Sequence, residues 1–220
     1  MSKMRCDIKA VLFDFDGTLT RPGAIDFKII KEALGCPVDR PVLEYINAMA
    51  AEEDRRTAML ELDRFEAAAA ARSRPNDGAQ EIIIWLKQRT IPIGIITRNS
   101  RQSVMRSLEN FDAVDAADFE VMITRDDPLP PKPSGIGVVH AAGQLGVKPR
   151  QLLMVGDYVF DPMAGKAAGA TTVLLDPMMD RRLQQVDCDF RIRHLLQLRP
   201  IVMNDRRCSS STGEGDAVKR

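Results

Sequence analysis

The chain has 220 residues, 45% of them hydrophobic and 28% charged, which is typical of a globular protein with one main domain and a modest insertion. Basic and acidic residues number 31 each, and this balance excludes a global field that would attract nucleic acid or an anionic membrane. An anionic ligand therefore has to be bound by a local site.

The N-terminal residues 1–9 lack the apolar run of a secretory signal, and no stretch approaches the roughly 18 apolar residues of a membrane span. The four cysteines are scattered without a CxxC pair, and with only two histidines they give little support to a zinc site. We therefore expect free thiols and a cytoplasmic location.

The first predicted element is a strand at Ala10–Phe13, a continuous apolar run that ends at Asp14. Three later runs have the same character and also end at polar residues: Ile91–Ile96 before Thr97, Gln151–Val155 before Gly156 and Asp157, and Thr171–Leu175 before Asp176. Helical patterns alternate with these strands at Gly78–Gln88, Ser100–Asn110, Ser134–Leu145 and Asp161–Ala168. The alternation predicts an α/β fold with a doubly wound, Rossmann-like parallel sheet that helices cover on both faces.

Residues 23–77 interrupt this alternation with three helical patterns and no strand: Asp26–Leu34, Arg40–Met49 and Ala51–Arg74. The borders of this stretch are rich in turn-forming residues, which predicts two adjacent linkers and a hinge. We therefore predict an α/β core from residues 1–22 and 78–203, and a small helical cap from residues 23–77. Residues 204–220 contain almost no apolar side chains, which predicts a disordered tail.

Two carboxylates, Asp14 and Asp16, follow the first strand at the point where Gly17 turns the chain. Such a pair can supply a nucleophile or metal ligand beside a general acid or base. Taken alone, the pair is explained equally well by a tight Asp-Gly bend. Ligands of open α/β sheets bind beyond the carboxyl ends of the strands. Polar residues at the other strand ends therefore help to decide between a functional pair and a simple turn.

Groups suited to binding a phosphoryl group follow later strands. Thr97 offers a hydroxyl, and the backbone N–H groups of Arg98 and Asn99 come directly after it. Lys132 lies in a proline-rich segment ahead of a helix, where a fixed ammonium would balance the charge of a phosphate and a nucleophile. Each residue also has a simpler interpretation, Thr97 as a helix cap or turn residue and Lys132 as a solvated surface side chain.

Asp157 and Asp161 follow the buried run 151–155, and carboxylate oxygens are the ligands that Mg²⁺ prefers. We expect Asp157 to bind the cation directly, and Asp161 to orient a water or a ligand of the cation without binding it. Asp161 is also suited to cap a helix in which Pro162 is the first residue.

Four segments, FDFDGTLT, IITRN, PKPS and VGDYVFD, occur in this order, and together they resemble the signature of the haloacid dehalogenase superfamily of phosphatases. The resemblance covers about residues 8 to 200. The position and size of the helical insertion resemble the subgroup of phosphoglycolate phosphatases and β-phosphoglucomutases. Tyr158 departs from the pattern, since many relatives carry a small Ser or Thr there.

The resemblance implies that Asp14 attacks phosphorus, and that Asp16 protonates the leaving alcohol and later deprotonates the attacking water. It also implies that Asp14, the backbone carbonyl of Asp16, and Asp157 hold Mg²⁺. A leaving alcohol needs a proton and a leaving halide does not, so Asp16 favours a phosphatase over a dehalogenase. The substrate expected by analogy is a small phosphorylated metabolite such as phosphoglycolate.

Two alternatives stay open from the sequence: a sugar phosphomutase on the same scaffold, and a non-catalytic binding protein that keeps the fold. Arg21, Arg98 and Arg125 lie in loops from which they could contact a substrate. The sequence carries no motif that identifies the substrate or the oligomeric state.

Overall fold

A computed structural model describes residues 7–203 of the chain. Its strands are β1 (Ala10–Phe13), β2 (Ile93–Ile96), β3 (Val121–Ile123), β4 (Leu152–Gly156), β5 (Thr171–Leu175) and β6 (Phe190–Ile192). These strands form one parallel sheet in the order β3-β2-β1-β4-β5-β6. The predicted α/β fold with a Rossmann-like parallel sheet is confirmed.

The α-helices of the described residues are α1 (Phe27–Leu34), α2 (Val42–Asn47), α3 (Glu52–Ala70), α4 (Ala79–Lys87), α5 (Arg101–Leu108), α6 (Ile136–Gln144), α7 (Phe160–Ala168) and α8 (Leu198–Val202). Side chains of β1 alternate between two apolar clusters, one on each face of the sheet, and helices cover both faces. Val11 and Phe13 pack with α4 and α5, whereas Ala10 and Leu12 pack with α6 and α7.

The four predicted strands and all seven predicted helices are present, with boundaries that differ by a few residues. Helix α3 ends at Ala70 instead of Arg74, and β2 begins at Ile93 instead of Ile91. Strands β3 and β6 were not predicted. They are the two edge strands of the sheet. Each has three residues and lacks a long apolar run, so its sequence carries little strand signal.

Helices α1 to α3, which we call the three-helix segment, lie between β1 and α4 and form an apolar cluster of their own around Ile30, Ile46 and Leu62. The chain segments that enter and leave it run side by side. Thr20 pairs with Pro75 in an antiparallel bridge, and the N–H of Arg21 donates to the carbonyl of Arg74 at 2.9 Å. The linkers are thus adjacent, while the division into a core and a cap at residues 22/23 and 77/78 stays a prediction.

Cys36 and Cys188 are free thiols. Cys6, Cys208 and the predicted disordered tail lie outside the described residues. Within residues 7–203, every helix is too short or too polar to cross a membrane.

Candidate active site

Because β1 lies in the middle of the sheet, three of the predicted site residues come together at the C-terminal ends of neighbouring strands. Strands β2 and β4 flank β1, so Thr97, Asp14 and Asp157 follow the ends of three neighbouring strands. Backbone pairing continues past the strand ends, since the N–H of Asp14 donates to Val155 and the N–H of Thr97 donates to Ile123, at 2.8 and 2.9 Å. The side chains are therefore anchored where the carboxyl ends of the strands open onto a cavity.

Lys132 lies inside this site and not on the surface, with only 3% of the residue exposed. Its ammonium donates to Asp14 Oδ1 at 2.5 Å and to Asp161 Oδ1 at 2.6 Å. Burial alone would lower the pKa of Lys132, but the two carboxylates outweigh it and raise the pKa above its ordinary value. The ammonium is therefore a permanent positive charge beside Asp14, and the solvated-surface interpretation is wrong.

Asp14, Asp157 and Asp161 form an acidic cluster in which one carboxylate oxygen of each lies within 4.8 Å of the others. Burial, and then the charge of Asp14, raise the pKa of Asp157 well above its usual range. Burial also raises the pKa of Asp161, to about 6, although Lys132 opposes it. Such crowding of carboxylates costs free energy that the Lys132 ammonium offsets only in part, and an all-oxygen donor set fits a hard divalent cation.

Glycines allow these carboxylates to approach the backbone. A Cβ on Gly17 would lie 2.1 Å from Asp157 Oδ2, and a Cβ on Gly156 would lie 2.1 Å from the carboxyl carbon of Asp161. Any larger residue at either position would displace a carboxylate. The space beside both glycines is thus shaped around the acidic cluster.

Both oxygens of Asp161 accept hydrogen bonds, one from Lys132 and the other from the backbone N–H of Tyr158 at 2.9 Å. The supporting role of Asp161 at a metal site stays a prediction. The predicted helix cap is wrong, because α7 already begins at Phe160 and Asp161 lies inside its first turn. Its carboxylate binds the preceding loop instead.

The acidic cluster does not include the carboxylate of Asp16, and the metal contact through its backbone carbonyl stays a prediction. The carboxylate accepts hydrogen bonds from Asn99 Nδ2 and from Thr20 Oγ1. Burial, reinforced by the charge of Asp14, raises the pKa of Asp16 to about 7. A carboxyl with a pKa near neutrality can both give and take a proton, as a general acid and base must.

Thr97 is buried, and its Oγ1 accepts a hydrogen bond from the N–H of Asn99 at 3.2 Å. The cap of α5 is Ser100, so the interpretation of Thr97 as a helix cap is wrong. The guanidinium of Arg98 forms a two-pronged ion pair with Glu44 of α2 and also lies over the ring of Phe160. The Arg98 side chain is therefore engaged, while the phosphate contact predicted for its backbone N–H stays a prediction.

The other two candidate arginines are also paired with acids. Arg125 contacts both Asp63 and Glu66 of α3, and Arg21 contacts Asp77 at 2.8 Å. Glu66 further accepts hydrogen bonds from the N–H and the hydroxyl of Ser100. Asp63 and Glu66 carry no local signal of this role, because acidic residues on a helix look like part of a solvated face and nothing near them in the sequence marks their distant partners.

A cavity of about 690 Å³ lies between the C-terminal ends of these strands and the three-helix segment. Its sheet side carries the predicted catalytic and metal-binding residues: Asp14, Asp16, Thr97, Arg98, Asn99, Lys132, Asp157 and Asp161. Its opposite side is largely apolar, with side chains from α1, α2 and α3. The structure thus brings together every site residue that the sequence predicted.

Comparison with known proteins bears on what such a cavity does. A sequence profile of the haloacid dehalogenase-like hydrolases matches residues 8–169. A hydrolase of Saccharomyces cerevisiae, described as uncharacterized, is 32% identical over 170 residues, which span 76% of this chain and 77% of that protein. A phosphoglycolate phosphatase of Thiobacillus denitrificans is 28% identical over 191 residues, 77% of this chain and 83% of that protein. A crystal structure of a hydrolase of the same superfamily from Entamoeba histolytica superposes with a TM-score of 0.69 and 21% identity, over 90% of this chain and 98% of that one.

Proposed function

The chain belongs to the haloacid dehalogenase-like hydrolase family, and from this premise we propose that it is a Mg²⁺-dependent phosphatase of small phosphorylated metabolites. The observation that carries the proposal is the buried contact of Lys132 with Asp14, beside a second carboxyl, Asp16, whose pKa lies near 7. One carboxylate is paired with a buried ammonium beside the expected point of attack, and the other is suited to moving protons.

In the first step a carboxylate oxygen of Asp14 forms a bond to phosphorus while the bond from phosphorus to the leaving oxygen breaks. Asp16 gives its proton to that oxygen, so the alcohol leaves uncharged. In the second step Asp16 takes a proton from water, the hydroxide oxygen bonds to phosphorus, and the bond to Asp14 breaks. Inorganic phosphate leaves and both carboxyls return to their starting states.

We expect positive charge and backbone N–H groups to hold the phosphoryl group. Lys132 would compensate the charge of Asp14 and of the phosphoryl oxygens, and Thr97 with the N–H groups of Arg98 and Asn99 would hold those oxygens in place. Asp14, the backbone carbonyl of Asp16, and Asp157 would bind Mg²⁺, with Asp161 as support. A bound Mg²⁺ neutralises phosphoryl charge and fixes the orientation of the group for attack.

Phosphoglycolate is the first substrate to test, because a relative carries that name and the sequence resembles that subgroup. A phosphomutase would use the same aspartyl-phosphate but pass its phosphoryl group to a sugar. Conversion of β-glucose 1-phosphate into glucose 6-phosphate would favour this alternative. The cytoplasmic location and the lack of a nucleic-acid partner stay predictions from composition.

The test is a screen of phosphate release from a panel of phosphomonoesters with Mg²⁺, repeated with Asp14→Asn. We expect the variant to lose activity by on the order of 10³-fold or more, because an amide cannot act as the nucleophile. Asp187→Asn is the matched control, since the Asp187 side chain is 83% exposed. Full activity of Asp14→Asn, or no release from any ester, would contradict the proposal.

A further inference from the structure

The four basic residues that line the cavity differ in whether an acid of the protein already neutralises them. Three have carboxylate partners: Arg21 pairs with Asp77, Arg98 with Glu44, and Lys132 with Asp14 and Asp161. Lys31 is the fourth. Its ammonium donates to the backbone carbonyl of Val38 at 2.5 Å, and within residues 7–203 it has no carboxylate partner. Among the described residues of the cavity, Lys31 alone therefore keeps an unpaired positive charge.

The contact with Val38 leaves Lys31 able to bind a ligand. An ammonium has three N–H donors, and the Val38 carbonyl accepts one of them, so two remain. Val38 itself lines the cavity, which places the end of the Lys31 side chain at the cavity wall. A neutral carbonyl orients the ammonium without cancelling its charge.

Apart from the acids that follow the strands, Asp39 and Glu66 line the cavity, and neither forms an ion pair with Lys31. Glu66 is neutralised by Arg125, which contacts one of its oxygens, while Ser100 donates to the other. Asp39 is exposed, so solvent screens its charge. The wall thus presents the cation of Lys31 to an anionic ligand.

Lys31 lies across the cavity from the strand ends at which we expect the phosphoryl group. It belongs to the last turn of α1, on the side of the cavity that the three-helix segment forms. This side is largely apolar, and its lining residues Val42 and Leu43 are buried. Because apolar surroundings weaken the screening of a charge, an anion bound at Lys31 is attracted more strongly than at an open surface.

Resting on the proposed phosphatase function, we propose that Lys31 binds a second anionic group of the substrate, either a carboxylate or a second phosphate. The preferred substrates are then phosphate monoesters that carry such a group away from the ester. The phosphoryl group lies at Asp14 while the second anion lies at Lys31. Selection of the substrate is thus assigned to a residue of α1 that takes no part in the chemical steps.

The experiment compares kcat/KM for esters of equal chain length with and without the second anion. Phosphoglycolate, 3-phosphooxypropanoate and 4-phosphooxybutanoate are compared with ethyl, propyl and butyl phosphate, and 1,3-propanediol bisphosphate is compared with propyl phosphate. The carboxylates and the bisphosphate distinguish the two sources of the anion. We expect at least one anionic ester to be preferred over its alkyl counterpart by about tenfold or more, as for a hydrogen bond to a charged group.

Variants of α1 test whether Lys31 causes the preference. Lys31→Met removes the charge, and we expect the preference for the anionic ester to fall by about fivefold or more. Lys31→Arg keeps a cation and should retain most of the preference. Lys28→Met is the matched control, because Lys28 lies on the same helix with its side chain 84% exposed and does not line the cavity. The ratio of the two esters in each variant cancels any general loss of activity.

Several outcomes would overturn this inference while phosphate release leaves the phosphatase function intact. These are the lack of a preference for any anionic ester, a preference that persists in Lys31→Met, and an equal fall in Lys28→Met. A fall in Lys31→Arg as large as that in Lys31→Met would overturn it too, because the charge would then not be the cause. No phosphate release from any ester would contradict both the inference and the phosphatase function.

Discussion

Gly17 is a residue at which backbone conformation and the acidic cluster depend on each other. Its φ of +80° lies in the left-handed region, where any residue with a Cβ is strained. Its missing Cβ also leaves the space that the Asp157 carboxylate occupies. A substitution at Gly17 therefore has two separable effects, one on the stability of the turn and one on the predicted metal ligand.

We predict that Gly17→Ala weakens Mg²⁺ binding about 10- to 100-fold, because the new methyl group displaces Asp157. Gly146→Ala is the control, since Gly146 also has a positive φ, of +68°, but a Cβ there meets nothing within 4 Å. Both variants should lose about 1 kcal/mol of stability from backbone strain, and only Gly17→Ala should lose affinity. Calorimetric titration with Mg²⁺ measures the difference, and equal affinities in the two variants would contradict the prediction.

Most of the site could be predicted from the sequence, because its residues follow strand ends that short apolar runs make recognisable. Asp14, Thr97 and Asp157 are of this kind, and the parallel sheet brings them together. The partners of Glu66 could not be predicted in this way. Arg125 is 59 positions away in the chain, and an ion pair over that separation follows from how α3 lies against the sheet edge.

At the scale of elements, the three-helix segment is tied to the sheet edge by ion pairs as well as by its linkers. Arg125 follows β3 and contacts Asp63 and Glu66 of α3, while Arg98 follows β2 and contacts Glu44 of α2. The side chains of Arg125 and Glu66 are only 7% and 4% exposed. A buried pair of this kind depends on both partners, since loss of either leaves the other charged and unpaired.

We predict that Arg125→Met destabilises the protein by about 3 kcal/mol, because Glu66 then stays buried without its cation. Arg101→Met should cost less than about 1 kcal/mol, since the Arg101–Asp127 pair is far more exposed. Urea unfolding at neutral pH measures both variants. Adding Glu66→Gln to Arg125→Met should restore part of the stability by removing the buried charge, and a similar cost for the two single variants would contradict this account.

Elements differed in how well the sequence predicted them. Long amphipathic helices and the apolar central strands were found, since each carries a pattern over many residues. The two missed strands, β3 and β6, owe their conformation to pairing with β2 and β5 instead of to their own three residues. The neighbouring strand sets their register, and the local sequence pattern carries no information about that neighbour.

For the molecule as a whole, a net charge of zero conceals a strong local imbalance at the acidic cluster. Burial raises the pKa of Asp16 to about 7 and that of Asp161 to about 6, and raises that of Asp157 well above its usual range. Between pH 4 and 7 these three carboxyls therefore bind more protons in the metal-free folded protein than in the unfolded chain. Their contribution to the free energy of unfolding then falls as the pH rises through this window.

We predict that the melting temperature of the metal-free protein decreases from about pH 5 to about pH 7.5, and that Mg²⁺ raises it more at the higher pH. The cation binds the deprotonated carboxylates of the folded state, so its stabilising effect grows as those protons leave. Thermal unfolding with EDTA or with Mg²⁺ across this pH range measures both trends.

In Asp157→Asn one carboxylate is gone, so the melting temperature without metal should be higher than that of the unaltered protein at pH 7.5, and the response to Mg²⁺ should be lost. A Mg²⁺ response that is independent of pH, or that persists in Asp157→Asn, would show that the acidic cluster is not where the cation binds.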